Sequence, residues 1–175
     1  MPEKKQPITN LNQLLDVDIL KMISAEIQLE QVLPGWIYKA TSVKLKNVLQ
    51  RYLDFIREHK AKLESSLANR MIISGTQFNR VMNSFIEETR EKLGDCVDQE
   101  VHDVCLLAGI QEINHYKISV YGTSAAFSKA LGMEKQAEVF HELEVNEKQI
   151  DDRLSQLAEF EINEKAKAPI ALPGK

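Results

Sequence analysis

The sequence predicts an all-α protein, a bundle of four long helices with a short extra helix in the crossover between the second and third long helices. Apolar residues recur at steps of three and four in four separate stretches, and no strand-period pattern competes with them. Turn formers are scarce, with seven Gly and five Pro among 175 residues, which favours long helices joined by few loops. One domain is expected at this length, over residues 10–161, with flexible ends at residues 1–9 and 162–175.

The first long helix is expected to begin after Asn10, which together with Gln13 resembles a capping box. Pro34-Gly35 is expected to bend or break this helix, because proline removes a backbone donor and clashes with the preceding turn. The face predicted to enter the core carries, in order, Leu15, Ile19, Met22, Glu26, Leu29 and Leu33.

The second long helix is expected to run from near Ser42 to about Asn69. The residues on its core face are Leu45, Leu49, Tyr52, Ile56, His59 and Leu63. Residues 70–97 are less regular, and Ser74-Gly75 is the expected turn between the two pairs of long helices. The crossover helix is predicted around three apolar residues of this region, Val81, Phe85 and Ile86.

The third and fourth long helices are expected to follow each other closely. Asp98 is a suitable N-cap for the third, which should end before Gly132, because glycine is favoured just past a helix end. The core face of the third helix carries Leu106, Ile110, Ile113, Lys117, Val120 and Ser124. The core face of the fourth carries Phe140, Leu143, Glu147, Ile150, Leu154 and Leu157.

Each of the four core faces has an ionisable residue near its middle: Glu26, His59, Lys117 and Glu147. A buried carboxylate is costly unless it is paired, and bundles that keep glutamates inward usually hold metal ions with them. The alternative is that at least two of the four lie at the edge of a face and point to water. The candidate metal ligands of the whole chain are Glu26, Asp54, His59, His115 and Glu147.

Composition and charge exclude several kinds of function. The net charge is −4, with 22 basic and 26 acidic residues well mixed, so no basic surface for nucleic acid is expected. No apolar run is long enough for a membrane span or a signal peptide, which predicts a cytoplasmic protein whose two cysteines are free thiols. No phosphate loop or nucleophile motif is present, so no catalytic or cofactor-binding residue is predicted, and a role other than catalysis is favoured.

Four segments of the chain have a familiar order: SAEIQL at 24–29, DVCLLAGIQEINHYKISVYGT at 103–123, AFSKALGMEKQAEVF at 126–140 and NEKQIDDRLSQLA at 146–158. Together they resemble the YciE/YciF branch of the ferritin-like superfamily. The resemblance implies a ferritin-like four-helix bundle, paired as a homodimer, among bacterial proteins of the stress response whose biochemical activity is not settled. It does not imply an iron-storage cage.

The chain departs from the pattern of this family at the positions of its acidic residues. Relatives typically read Glu-His-Tyr-Glu in the third helix, where this chain has Asn114 and Lys117 in place of the two glutamates. In the second helix, His-Leu-Glu-Glu-Thr is replaced by residues 52–56, which keep only Asp54. A lysine ammonium repels divalent cations and offers them no lone pair, so a functional di-metal centre is not expected.

Our hypothesis is that the Lys117 ammonium stands where a metal would lie. In this degenerate site Lys117 would pair with Glu26 and Glu147, and Asn114 and Tyr52 would complete the hydrogen bonds. One alternative is that Lys117 extends along its aliphatic stem to place its nitrogen in water. Another is an iron or manganese oxidoreductase that binds metal through the reduced ligand set. A third is a binder of a small ligand in the gap left by the lost metal ligands, although no residue pattern points to a particular ligand.

Overall fold

The computed structural model describes residues 7–68, 70 and 77–167. All regular structure within these residues is helical, which confirms the predicted fold class. The helices are α1 (Leu11–Lys39), α2 (Val43–Ala68), α3 (Arg80–Asp95), α4 (Gln99–Ala130), α5 (Glu134–Leu157) and α6 (Asn163–Ala166), with a π-helical segment, Ala158–Ile162, joining the last two.

Four long helices, α1, α2, α4 and α5, form the bundle. α1 packs on α2, and α4 packs on α5, so the chain makes two helical hairpins joined by the crossover that contains α3. The two hairpins meet through α1 against α4 and α2 against α5, and the apolar core lies between them. Among the described residues, no helix has both the length and the apolar character that crossing a bilayer requires.

The predicted helix ends agree with the structure at three positions. The side chain of Asn10 accepts a hydrogen bond from the Gln13 amide at 2.9 Å. Asp98 accepts from the amides of Glu100 and Val101, at 2.8 and 2.9 Å, and so caps the start of α4. Gly132 follows the end of α4 with a φ of 69°, the left-handed conformation that favours glycine.

Of the bend or break predicted at Pro34-Gly35, the break does not occur, because α1 continues through both residues to Lys39. The side chains of Leu33 and Trp36 are buried on either side of the proline, and this packing outweighs the local preference for a break. The helix ends one turn later, where the Ala40 amide donates to the Trp36 carbonyl at 3.0 Å.

The crossover is also more regular than predicted, because α3 has 16 residues and covers most of the region 77–97. Its cap, Asn79, accepts from the Met82 amide at 2.9 Å and donates to the Lys21 carbonyl and the Tyr116 hydroxyl, at 3.0 and 2.9 Å. These bonds tie the start of α3 to α1 and α4. The turn predicted at Ser74-Gly75 lies outside the described residues.

α3 lies very close to α4 at one position. A Cβ added to Gly109 would be 2.4 Å from Thr89 Oγ1, so only glycine fits there without a shift of the neighbouring helix.

After α5, helical structure continues to Ala166, beyond the domain end predicted at residue 161.

Candidate functional site

Glu26, His59, Lys117 and Glu147 meet at the centre of the bundle. They come from α1, α2, α4 and α5, and all four side chains are 0% exposed. The apolar spacing around each residue therefore positions it inward, in the face that the sequence pattern indicates. This placement excludes the interpretation in which two of the four point to water.

The Lys117 ammonium lies between the two carboxylates. Its Nζ is 2.6 Å from Glu147 Oε1 and 3.0 Å from Glu26 Oε2, and the same nitrogen is 4.7 Å from the centre of the Tyr52 ring. The ring face adds a cation–π attraction to the two ion pairs. The lysine nitrogen is buried with its partners, so the alternative in which it reaches water does not hold.

The imidazole of His59 contacts the same two carboxylates. His59 lies on α2, in the hairpin that does not contain Lys117. Its Nδ1 is 3.3 Å from Glu147 Oε1 and 3.5 Å from Glu26 Oε1. Phe55 stacks on the ring at 6.0 Å between centroids, and the ring of Tyr121 meets it edge-on at 5.6 Å. These aromatic contacts fix the orientation of the imidazole and exclude water from it.

Three neutral donors complete the hydrogen bonds of the carboxylates. The Tyr52 hydroxyl donates to Glu147 Oε2 at 2.8 Å, and Asn114 Nδ2 donates to the same oxygen at 2.6 Å and to the Glu147 carbonyl at 3.0 Å. The Tyr121 hydroxyl donates to Glu26 Oε1. Sequence reasoning missed Tyr121, although it lies four residues after Lys117 and therefore on the same face of α4.

The electrostatics of the centre favour charged forms in spite of burial. Burial on its own would raise the pKa of Glu26, but Lys117 and His59 outweigh it and hold this pKa below its ordinary value. Burial opposes the charged forms of Lys117 and His59, yet contacts with Glu26 and Glu147 raise the pKa of both. Opposite charges at the centre therefore favour the carboxylate of Glu26 and the charged forms of Lys117 and His59.

The two tyrosines of the centre stay neutral. Burial, followed by the charges of Glu147 and Glu26, raises the pKa of Tyr52 well above its ordinary value, and burial with the same two charges does so for Tyr121. Both hydroxyls therefore serve as hydrogen-bond donors throughout the physiological pH range.

Asp54 and His115 are not brought to the centre. The Asp54 side chain is 54% exposed on the outer surface of α2, 4.0 Å from Arg57. His115 is 62% exposed, and its Nε2 lies 2.8 Å from Asp151 Oδ1 on the surface between α4 and α5. Each lies one or two residues away from an inward position, so the helical rotation of about 100° per residue directs it outward.

The central donors do not fit a di-metal carboxylate centre. Ligand atoms of Glu26, His59 and Glu147 lie within 4.8 Å of one another, but ferritin-like di-metal sites use about four glutamates and two histidines. The ammonium of Lys117 also contacts both carboxylates, where it would repel a divalent ion.

The chain is similar to known proteins over most of its length. A family model described as Domain of unknown function (DUF892) matches residues 10–167. Protein YciF of Escherichia coli (strain K12) is 29% identical over 144 residues, which cover 82% of this chain and 87% of that protein. The residues matched by the family model include all the helices of the bundle.

Two solved structures have a similar fold. The crystal structure of the E. coli stress protein YciF gives a TM-score of 0.83 at 25% identity, covering 92% of this chain and 100% of that one. The YcfI protein of Rhodopseudomonas palustris gives a TM-score of 0.82 at 24% identity, covering 86% of this chain and 96% of that one. The similarity extends to both hairpins of the bundle.

Proposed function

The chain belongs to the DUF892 family, with YciF among its relatives, and from this premise we propose that it is a stress-associated ferritin-like protein whose bundle centre is ionic and free of metal. Its role is then structural, or lies in interaction with other molecules. The stress association is carried over from the E. coli relative, which is described as a stress protein.

One observation carries the proposal: Lys117 Nζ contacts a carboxylate oxygen of both Glu26 and Glu147 at ion-pair distance. With His59 protonated, the four ionisable groups sum to zero charge without any metal. The position of the ammonium supports its role as the replacement for a metal's positive charge. Such a centre stabilises and specifies the packing of four helices, and offers no open coordination position for chemistry.

Metal analysis tests the proposal directly. Protein purified without chelator is incubated anaerobically with Fe²⁺ or Mn²⁺, passed through a desalting column and analysed for metal content. We expect no stoichiometric metal. About two ions per chain, the loading of a ferritin-like di-metal centre, would contradict the proposal.

A substitution makes the same test sharper. Lys117→Gln removes the ammonium while keeping a polar side chain of similar length, and we expect this variant to retain more metal than wild type. Lys148→Gln is the matched control, because this lysine is exposed on α5 and, among the residues that the structure describes, pairs only with Glu144. Equal metal binding by all three proteins would argue against a charge-replacing role for Lys117.

A second candidate function is a metal-dependent oxidoreductase with a reduced ligand set, using iron or manganese. It is favoured by the three ligand atoms of Glu26, His59 and Glu147, which are near enough to surround one ion if the lysine moves away. Loss of bound metal in His59→Gln, with the bundle still folded by circular dichroism, would favour this candidate.

The family resemblance also leads us to propose a homodimer in the cytoplasm. Light scattering coupled to size-exclusion chromatography distinguishes a dimer from the 19.9 kDa monomer. A monomeric mass across a wide range of protein concentrations would contradict this part of the proposal.

A further inference from the structure

Two cysteines that play no part in the bundle centre lie side by side at the junction of α3 and α4. Cys96 follows the last residue of α3, and Cys105 lies in the second turn of α4. Their sulfur atoms are 3.1 Å apart, and both are free thiols in half-buried positions. They are also the only cysteines of the chain.

The surrounding structure holds the two sulfurs together. The connection between α3 and α4 is short, from Asp95 to Gln99, so the end of α3 cannot move far from the start of α4. Farther along the same two helices, Thr89 of α3 packs against Gly109 of α4 without room for an additional carbon. A covalent S–S bond is about 2.05 Å long, so the sulfurs need to approach by about 1 Å.

The thiol pair is open to small molecules. A surface cleft of about 400 Å³ includes both cysteines together with Lys92, Asp95, Val97, Asp98 and Val101. The side of the cleft at Val97 is exposed to solvent. A small disulfide can therefore reach the sulfurs, which it could not do at the fully buried centre of the bundle.

We propose that Cys96 and Cys105 are a modification site, at which exchange with a low-molecular-weight disulfide of the glutathione class forms a reversible intramolecular disulfide. This inference goes beyond the proposed function and does not depend on it. The crosslink would fasten the end of the crossover helix to α4.

The exchange proceeds in two balanced steps. The Cys105 thiolate attacks one sulfur of the small disulfide, so that a mixed disulfide forms and one small thiolate leaves. The Cys96 thiolate then attacks the sulfur of Cys105, the protein disulfide forms, and the second small thiolate leaves. The two protons of the cysteine thiols end on the two released thiols.

The environment of Cys96 favours its role in the second step, as the thiolate that attacks the sulfur of Cys105. Burial, then the hydrogen bond to Cys105 and the charge of that residue, raise the pKa of Cys96 to about 11. A thiol with so high a pKa is a slow first nucleophile. Once Cys105 is part of a mixed disulfide, its charge is gone, and the nearby Cys96 attacks within the same molecule.

The test treats the full chain with glutathione disulfide, quenches it with acid and alkylates the remaining thiols. We expect the loss of both alkylatable thiols, a mass decrease of two hydrogens, and a peptide that joins Cys96 to Cys105. Dithiothreitol should restore both thiols. The matched variants each keep one cysteine, and we expect Cys105→Ser to form its glutathione adduct more slowly than Cys96→Ser.

Three results would overturn the proposal. Both thiols could stay alkylatable in excess glutathione disulfide, the reaction could stop at two glutathione adducts per chain, or the disulfide could join two chains. Reducing and non-reducing electrophoresis identifies the last case. Because the readout is a mass and a thiol count, it stays independent of metal content and of the proposed role of Lys117.

Discussion

Lys117 contacts both central carboxylates, so its removal tests the ionic centre at the scale of one residue. In Lys117→Ala, two buried carboxylates would keep only the imidazole of His59 as a possible positive charge among their described contacts, and we expect a loss of roughly 3–5 kcal/mol in the free energy of unfolding. Urea unfolding at pH 7 measures this loss. Lys148→Ala, an exposed control, should change stability by less than about 0.5 kcal/mol. Equal stability of Lys117→Ala and wild type would contradict the ionic centre.

Tyr121 supplies the second single-residue prediction. Tyr121→Phe keeps the edge contact with His59 but removes the hydroxyl that donates to Glu26, a buried charged acceptor. We expect a destabilisation of about 1.5–3 kcal/mol, the usual range for a hydrogen bond to a charged group. Tyr38→Phe is the control, because Tyr38 is 85% exposed. Similar unfolding midpoints for both variants would show that the hydroxyl of Tyr121 contributes nothing.

Much of the centre could be predicted residue by residue, because an ionisable group within an apolar face is visible in the sequence. Glu26, His59, Lys117 and Glu147 were found in this way. Tyr121 could not be, since the apolar spacing is satisfied equally well by its neighbour Val120, and only the contacts with Glu26 and His59 on the other hairpin select the tyrosine. The contact of His59 Nε2 with Asn146, at 3.4 Å, likewise depends on the rotation of α5.

At the scale of elements, α3 approaches α4 very closely at Gly109. Gly109→Ala would place a methyl group 2.4 Å from Thr89 Oγ1, and we expect a destabilisation of about 1–3 kcal/mol from overpacking. Gly94→Ala is the matched control, because a Cβ there meets nothing within 4 Å. It should be neutral or stabilise the helix by up to about 1 kcal/mol.

Thermal unfolding of the two glycine variants and of the double variant Gly109→Ala/Thr89→Ala measures this contact. Removing the Thr89 hydroxyl and methyl should recover part of the stability, because they are the atoms nearest to the new carbon. No recovery in the double variant would locate the cost elsewhere than at the α3–α4 contact.

The elements that sequence could not predict are those for which local preference and packing disagree. Pro34 signals a helix end, yet the burial of Trp36 carries α1 through it. The region before Asp98 lacks a strong periodic pattern, yet Asn79 caps a helix there through the Met82 amide and is held in place by bonds to α1 and α4. Where a cap has no such bonds to distant helices, as at Asn10 and Asp98, the sequence alone was sufficient.

At the scale of the whole molecule, the ionic centre makes bundle stability depend on pH. The pKa of His59 is raised above its ordinary 6.5 on folding, so its contribution is complete below pH 6.5 and is lost as pH rises through the folded pKa. The pKa of Glu26 is lowered from 4.5, so its contribution is present above pH 4.5 and is lost as pH falls through the folded pKa. We therefore expect greatest stability between these two values.

Chemical unfolding at pH values below, within and above this range measures how the free energy of unfolding depends on pH. The decline above pH 6.5 should disappear in His59→Gln, because this variant lacks the imidazole whose pKa is raised on folding. Wild-type and His59→Gln profiles that run parallel would show that His59 does not gain a proton on folding. His141→Gln is a control at an exposed histidine.

The four charges of the centre are divided evenly between the two hairpins. α1 and α2 bring Glu26 and His59, and α4 and α5 bring Lys117 and Glu147, so each hairpin carries one acid and one base. Glu147 is the first of the two carboxylates that raise the pKa of His59, so the contact between the hairpins itself favours the imidazolium. With His59 protonated, docking one hairpin on the other buries two acids and two bases and therefore no net charge, which avoids the large cost of burying an unpaired ion.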